Sequence, residues 1–293
     1  MEKTVAIIGA GPAGMAAALQ LRRFGIKILL FEQKESKSLL KNAWCVENHL
    51  GCYPGKTGIK LLCDFHKHLA RNKVKTIRSK VELLDYNGKT QLFRIKAAKK
   101  TYISDYAVVA SGTKPKLLLQ NPPAAISNHL FYEVFPLLKK RNKTILIIGA
   151  GDAAFDNALN LAKHNRVIIL NRSKYIDSLP LLVNKAMKNP NISYFEEHEI
   201  YGIVPTTADK KISVMFTKRR KKVYIEADYL LVAIGRLPQK DFYTGKLWTA
   251  EKRLIKEGRL FLVGDAKNDL YRQVAIAIGD GIRVAMHIFH NSE

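Results

Sequence analysis

The stretch Val5-Ala6-Ile7-Ile8-Gly9-Ala10-Gly11-Pro12-Ala13-Gly14 decides the fold. A short apolar run leads into G-x-G-x-x-G, and the helical spacing of Pro12–Phe24 follows, closed by Gly25. The next apolar run, residues 27–32, ends in Glu32, 23 residues after Gly9. Strand, glycine turn, helix, strand and acid in this order form a βαβ unit whose helix N-terminus suits a pyrophosphate. Gly9 permits the tight bend, Gly11 leaves room for phosphate, and Gly14 lets the helix pack on the strand. Glu32 lies where an acid bonds ribose hydroxyls.

A second stretch repeats the pattern: Ile145-Leu146-Ile147-Ile148-Gly149-Ala150-Gly151-Asp152-Ala153-Ala154. Here Ala154 replaces the third glycine. The following strand closes in Asn171-Arg172-Ser173, with no carboxylate. An acid there would repel a 2′-phosphate, whereas Arg172 can pair with one, so NADPH is expected over NADH. The alternative is that Arg172 is a surface side chain. Two such sites in one chain imply two nucleotides, most economically a flavin and a nicotinamide.

The two turns organise the chain. After the first come an amphipathic helix at about 58–72, a meander near 75–86, 91–97 and 101–104, and a buried strand at 106–110. After the second come a meander at about 192–226 and a buried strand at 229–234. Each half ends its last strand in Ala-x-Gly (Ala110-Ser111-Gly112 and Ala233-Ile234-Gly235), which reads as duplication of a whole fold. Residues 117–143 read as irregular, 236–250 as a return linker, 260–265 as a last strand and 271–289 as a closing helix. The expected fold class is α/β, with two Rossmann-like three-layer nucleotide-binding domains, the second inserted into the first. Residues 1–115 and 245–293 form one domain and 116–244 the other.

At 293 residues, with 47% hydrophobic and 25% charged residues, the composition is globular. No apolar run of about 18 residues is present, so no membrane association is expected. The chain enters its first strand at Thr4 without a secretion-signal pattern, and three cysteines make no disulfide framework, so a cytoplasmic location is expected. The net charge of +24 includes Lys139-Lys140-Arg141, Lys210-Lys211 and Lys218-Arg219-Arg220-Lys221-Lys222, the last at an expected hairpin tip. It reads either as solvated surface or as steering toward an acidic partner or anionic substrate. No nucleic-acid-binding pattern is present. The histidines show no metal-ligand spacing, and no metal is expected.

With these stretches in hand, the sequence resembles the flavoproteins of the low-molecular-weight thioredoxin reductase fold over nearly its whole length. Gly9–Gly14 with Glu32 is similar to their FAD motif. Val46-Glu47-Asn48-His49-Leu50-Gly51 with Gly58-Ile59 resembles their VENxxG…TG segment beside the flavin. Ala110-Ser111-Gly112 resembles their ATG turn, Ala233-Ile234-Gly235-Arg236 with Pro238 their AIGxxP stretch, and Gly264-Asp265 their GD. Tyr271-Arg272-Gln273-Val274-Ala275 resembles their YRQ-x-A beside the isoalloxazine. The resemblance implies FAD at Gly9, Gly11, Pro12, Ala13, Gly14, Glu32, Gln33, Asn48, Val81, Ala110, Ser111, Gly112, Gly264, Asp265, Arg272, Gln273, Val274 and Ala275. It implies NADPH at Gly149, Gly151, Asp152, Ala153, Ala154, Asn171, Arg172, Ser173, Gly235 and Arg236. It also implies hydride transfer from NADPH to flavin, a domain swivel about two linkers, and a homodimer.

One departure matters. Thioredoxin reductases carry C-x-x-C just before the second glycine turn; here that place reads Phe131-Tyr132-Glu133-Val134-Phe135-Pro136. The chain is closer there to members lacking the pair, such as thioredoxin-reductase-type ferredoxin–NADP reductases and some small-thiol disulfide reductases. Against the former, nothing after the last helix reads as an extension to stack over the flavin. The expected acceptor is therefore a ferredoxin- or flavodoxin-like acidic protein or a small redox substrate. Cys45 and Cys52, with six residues between them, flank the flavin-loop segment and are candidates for disulfide chemistry; alternatively they fill space. His49 is a candidate proton donor or a locally bonded histidine. Cys63, on the amphipathic helix, is expected in the core. A redox- or nucleotide-sensing protein without turnover is the alternative from another class.

Overall fold

The computed structural model describes residues 3–33, 38–53, 55–206, 211–218 and 221–291. The chain forms two compact units, one of Met1–Lys114 with Leu237–Glu293 and the other of Pro115–Arg236.

The first unit opens with β1 (Thr4–Ile8), α1 (Pro12–Arg23) and β2 (Lys27–Glu32), followed by α2 (Gly58–Arg71) and β3 (Thr76–Arg78). A meander of β4 (Val81–Asn87), β5 (Leu92–Ala97) and β6 (Lys100–Ser104) precedes β7 (Tyr106–Val109), and β8 (Thr113–Pro115) leads out. In the second unit α3 (Ala124–Ser127) and β9 (Leu130–Phe131) precede the repeated motif β10 (Thr144–Ile148), α4 (Asp152–Leu161) and β11 (Arg166–Leu170). Then come α5 (Pro180–Met187), β12 (Ile192–Phe195), the meander β13 (Glu199–Pro205), β14 (Ile212–Lys218) and β15 (Lys221–Ala227), and β16 (Tyr229–Val232). The chain returns through β17 (Arg236–Pro238) to α6 (Gly245–Lys256), β18 (Leu260–Leu262) and α7 (Val274–His290).

Each unit is built on a five-stranded sheet, β18-β7-β1-β2-β3 in one and β12-β11-β10-β16-β9 in the other. All their pairings are parallel, with Ile8 opposite Phe31 and Ile148 opposite Leu170. Parallel strands covered on both faces need apolar residues at every position, which is why these segments read as continuous hydrophobic runs. Alternate residues serve opposite layers. Val5 and Ile7 pack with α1, α2 and α7, while Ala6 and Ile8 join Phe31, Phe93 and α6 residues Leu247 and Leu254. In the second unit Ile145 and Ile147 face α4 and α5, and Leu146 faces the meander. The same order of elements recurs, as duplication requires.

Several expectations are corrected. The return to the first unit comes at Leu237 and not at 245. Phe242 and Tyr243 are buried in the first unit's core, and Leu84 donates its N–H to the Phe242 carbonyl at 2.7 Å. The supposed linker ends in α6, capped by Thr244, whose side-chain oxygen accepts from Leu247 N–H. The 117–143 stretch contains α3, β9 and a 3-10 turn at Phe135–Leu137. The last strand stops at Leu262, and Gly264–Ala266 is a 3-10 turn. Cys63 is exposed, because α2 turns Leu61, Leu62 and Leu69 inward instead. Of the basic clusters, Lys210, Arg219 and Arg220 lie outside the described residues; Lys218 and Lys221 pair at the end of the β14–β15 ladder. Among the described residues no helix is long and apolar enough to cross a membrane.

Candidate functional site

Sterics lock the first glycine turn. Gly9 has φ +110° and donates its N–H to the Phe31 carbonyl at 2.9 Å. A Cβ on Gly9 would lie 2.3 Å from the Ala110 carbonyl oxygen, and one on Gly14 only 1.9 Å from the Gly9 oxygen. Neither position tolerates a side chain. Gly11 differs, because a Cβ there would meet nothing within 4 Å. It is the N-cap of α1, and no side chain caps that helix. The first-turn N–H groups past Pro12 thus have no side-chain cap, and there is open space beside Gly11, the arrangement that suits a phosphate.

Two further glycines close the site around Ala13. Gly264 has φ +61°, and a Cβ on it would sit 2.9 Å from that of Ala13. A Cβ on Gly281, in α7, would lie 2.1 Å from the Ala13 carbonyl oxygen. The neighbouring Asp280 is buried and accepts hydrogen bonds from Gly264 N at 3.1 Å and from the Asn268 side-chain amide. Asp280 therefore holds the turn that carries Asp265. Sequence reasoning missed Gly281 and Asp280, although an acid between two glycines inside an apolar helix is a readable signal.

The loop after β2 and the segment before α7 meet, with the Asn48 amide donating to Gln273 Oε1 at 2.6 Å. Two buried polar atoms in these segments, His49 Nδ1 and Arg272 Nε, have no hydrogen-bond partner. His49 instead sets its ring edge-on to Phe65. Val274 packs on the first unit's core, Ala275 is exposed in the first turn of α7, and Gln33 is exposed after β2. Val81 is buried with Phe31. Ser111 donates to the Gln239 carbonyl, and the Gly112 carbonyl accepts from Gln239 N, so this turn anchors the returning chain. Glu32 is buried at the end of β2, with His66 Nε2 3.7 Å from its Oε1.

Cys45 and Cys52 are free, half-buried thiols. Cys52 lies on a tight turn, its N–H donating to the His49 carbonyl at 3.0 Å. Nearby, Lys56 reaches Asp64 Oδ2 at 2.6 Å. That hydrogen bond raises the ammonium's pKa, with smaller contributions from the Asp64 and Cys52 charges, and lowers that of the Asp64 carboxyl.

The second turn repeats the first. Gly149 has φ +120°, donates to the Leu170 carbonyl, and would place a Cβ 2.3 Å from the Ala233 oxygen. Gly151 caps α4, with Ala153 exposed and Ala154 buried. Asp152 is already used, since its Oδ1 accepts from Ser178 Oγ at 2.9 Å and Leu179 N at 2.7 Å. Asn171 is likewise structural, donating to the Tyr175 carbonyl and Tyr194 hydroxyl and accepting from Ser173 N. That Asx-type turn presents Arg172, which is exposed, with no side-chain partner among the described residues. Gly235 has φ +105° and accepts from Lys116 N, while Arg236 is paired with Glu133 at 2.9 Å. Among the described residues no group of three or more histidine, cysteine, aspartate or glutamate side chains could hold a metal.

Two parallel-sheet units, each with a glycine-locked turn at the carboxyl end of its central strand, define a two-domain nucleotide-binding protein of Rossmann type. The chain belongs to the pyridine nucleotide-disulphide oxidoreductase family, which it matches over residues 3–281. That family implies an oxidoreductase that binds a flavin and a pyridine nucleotide. The chain is 26% identical to thioredoxin reductase of Chlamydia pneumoniae, with 96% of each chain covered. It is 24% identical to a 34.2 kDa protein in the rubredoxin operon of Clostridium pasteurianum, covering 96% of this chain and 94% of that one. Its fold is that of Lactococcus lactis thioredoxin reductase, with TM-score 0.86, 24% identity and 98% of each chain covered. It is also shared with a bacillithiol disulfide reductase of Bacillus cereus, with TM-score 0.76, 19% identity and 99% and 100% covered. A flavin nucleotide fits the first unit: the space at Gly11, the uncapped α1 and the orphaned Arg272 Nε and His49 Nδ1 all call for a polar ligand.

Proposed function

We propose that this protein is an NADPH-dependent FAD oxidoreductase whose electrons leave by a route other than C-x-x-C. The observation that carries the reading is a pair of sterically locked nucleotide turns in a chain whose second unit has no cysteine, since Cys45, Cys52 and Cys63 all lie in the first. FAD supplies a ring that takes up a hydride and releases electrons singly or in pairs. The chain's own residues bind and orient. The α1 N–H groups take the pyrophosphate, Glu32 accepts from ribose hydroxyls, and Asp265 with Arg272–Ala275 borders the flavin. In the second unit α4 takes the other pyrophosphate and Arg172 the 2′-phosphate. The protein works as a cytoplasmic homodimer. Stopped-flow mixing with NADPH bleaches the bound flavin; a protein with FAD bound that does not bleach refutes the reading and leaves a sensor without turnover.

The acceptor is a small acidic electron-transfer protein. The net charge of +24 supports this, as does a relative encoded with a rubredoxin. Turnover with such a protein then falls steeply with ionic strength; a flat dependence refutes it. The half-buried free thiols Cys45 and Cys52 favour a second reading, reduction of a small disulfide. Cys45→Ser and Cys52→Ser then abolish disulfide reduction while sparing flavin bleaching.

A further inference from the structure

We propose that His66 is a positioning residue of the first nucleotide site, orienting Glu32 toward the ribose; the inference rests on reading that site as one for FAD. Glu32 ends β2 one residue after Phe31, whose carbonyl accepts from Gly9 N–H, so it follows directly on the residue that holds the glycine turn. His66 Nε2 lies 3.7 Å from Glu32 Oε1, just beyond hydrogen-bond length, with the two side chains 23% and 9% exposed. The same Nε2 is buried and has no hydrogen-bond partner. A buried ring nitrogen without a hydrogen-bond partner is uncommon, and here an acid of the proposed site lies 3.7 Å from it.

The ring is not placed by a mobile element. α2 starts at Gly58, where a Cβ would lie 1.8 Å from the Leu40 carbonyl oxygen, and Thr57 caps it through Lys60 N. Leu62 and Leu69, one turn to either side of His66, are buried in the core. α2 therefore presents His66 to the end of β2 as a fixed side chain. A carboxylate accepts about four hydrogen bonds. A donor on the Oε1 side fixes the plane of the group and leaves acceptor capacity for ribose hydroxyls. The contact shortens to a charge-assisted hydrogen bond when the ribose draws the carboxylate into register.

The test is FAD titration of apo-protein, followed by flavin fluorescence. His66→Leu raises the Kd roughly tenfold, the size of one hydrogen bond to a charged group. His66→Gln, which keeps a donor, stays within about threefold of wild type. In a Glu32→Gln background His66→Leu changes the Kd by less than about twofold, because the partner is already altered. A wild-type Kd for H66L, an H66Q as weak as H66L, or an undiminished loss in the E32Q background each overturns the proposal. Thermal melts of the apo-proteins identify any variant that misfolds, and the H66Q comparison then decides. Wild-type protein that binds no FAD overturns the reading of the site itself, and is told apart because the failure precedes any substitution.

Discussion

Two glycines in α7, two residues apart, have opposite tasks, and alanine at each separates them. A Cβ on Gly281 would sit 2.1 Å from the Ala13 carbonyl oxygen and 2.9 Å from Ala17 N, both backbone atoms of α1. Neither can rotate away. To restore contact distance the helices must part by roughly 1 Å, which forfeits a quarter to a half of each contact along the seam. That seam is lined by Ala277, Val284, Ala285 and Ile288. Overpacking of this kind costs up to about 3 kcal/mol. Alanine's better helix propensity returns about 1 kcal/mol, leaving a net loss of about 2 kcal/mol. Gly279 is exposed, and a Cβ there meets nothing within 4 Å. Gly279→Ala keeps only the propensity term and gains up to about 1 kcal/mol. At about 2–4 °C per kcal/mol, thermal melts of the apo-protein should show Gly281→Ala lowered by roughly 4–8 °C and Gly279→Ala raised by roughly 2–4 °C. Equal shifts of the same sign in both would refute the claim that Gly281 sets how closely α7 approaches α1.

Other expectations follow from the same geometry. Asp280→Ala orphans the buried Gly264 N–H and costs about 1–3 kcal/mol in chemical denaturation, while Asp280→Asn, which keeps an acceptor, recovers part of it. Arg172→Leu raises the KM for NADPH tenfold or more, on the order of one lost charge-assisted contact, and leaves the KM for NADH unchanged in steady-state assays. The Lys114 ammonium, chiefly through its hydrogen bond, holds the Asp241 carboxyl below its usual value. A depressed acid stabilises the fold above its unfolded pKa and loses that contribution as pH falls through the folded one. Asp241→Asn should therefore show a small deficit at pH 7, within the range of exposed pairs, that starts to shrink only below about pH 4 and vanishes once pH falls past the depressed folded value in denaturation series. Burial, then the Glu251 charge, pushes the Tyr243 hydroxyl far up. In an alkaline absorbance titration Tyr243 ionises well above the ordinary tyrosine value of about 10, so Tyr243→Phe leaves the absorbance step around that pH unchanged.

The central strands, both glycine turns and the closing helix were legible because their signals are local. Parallel strands buried on both faces must be apolar throughout, and a turn with φ near +110° must be glycine. Helices α5 and α6 were less legible. α6 commits only Leu247 and Leu254 fully to the core, so its apolar pattern is thin, although Thr244 and Pro180 mark two helix starts. The site residues divide in the same way. Gly9, Gly14 and Gly149 stand where strand and helix positions demand. Asp152, Asn171 and Arg236, expected at the nucleotide, also bond Ser178, Tyr175 and Glu133, partners 26, 4 and 103 residues away in the chain. No local pattern announces the pairings of Asp152 and Arg236.

By itself the amino-acid sequence determined two duplicated βαβ nucleotide units, their nesting, and the lack of a redox pair before the second turn. Those features rest on backbone conformation and hydrophobic period, which neighbouring residues dictate. Only the tertiary structure decided that Leu237, and not residue 245, rejoins the first unit, that Cys63 faces solvent, and that His66, Asp280 and Gly281 crowd around β2 and α1. These outcomes depend on contacts between segments up to a whole chain apart, where packing and unpaired polar atoms set the arrangement and sequence proximity carries no information.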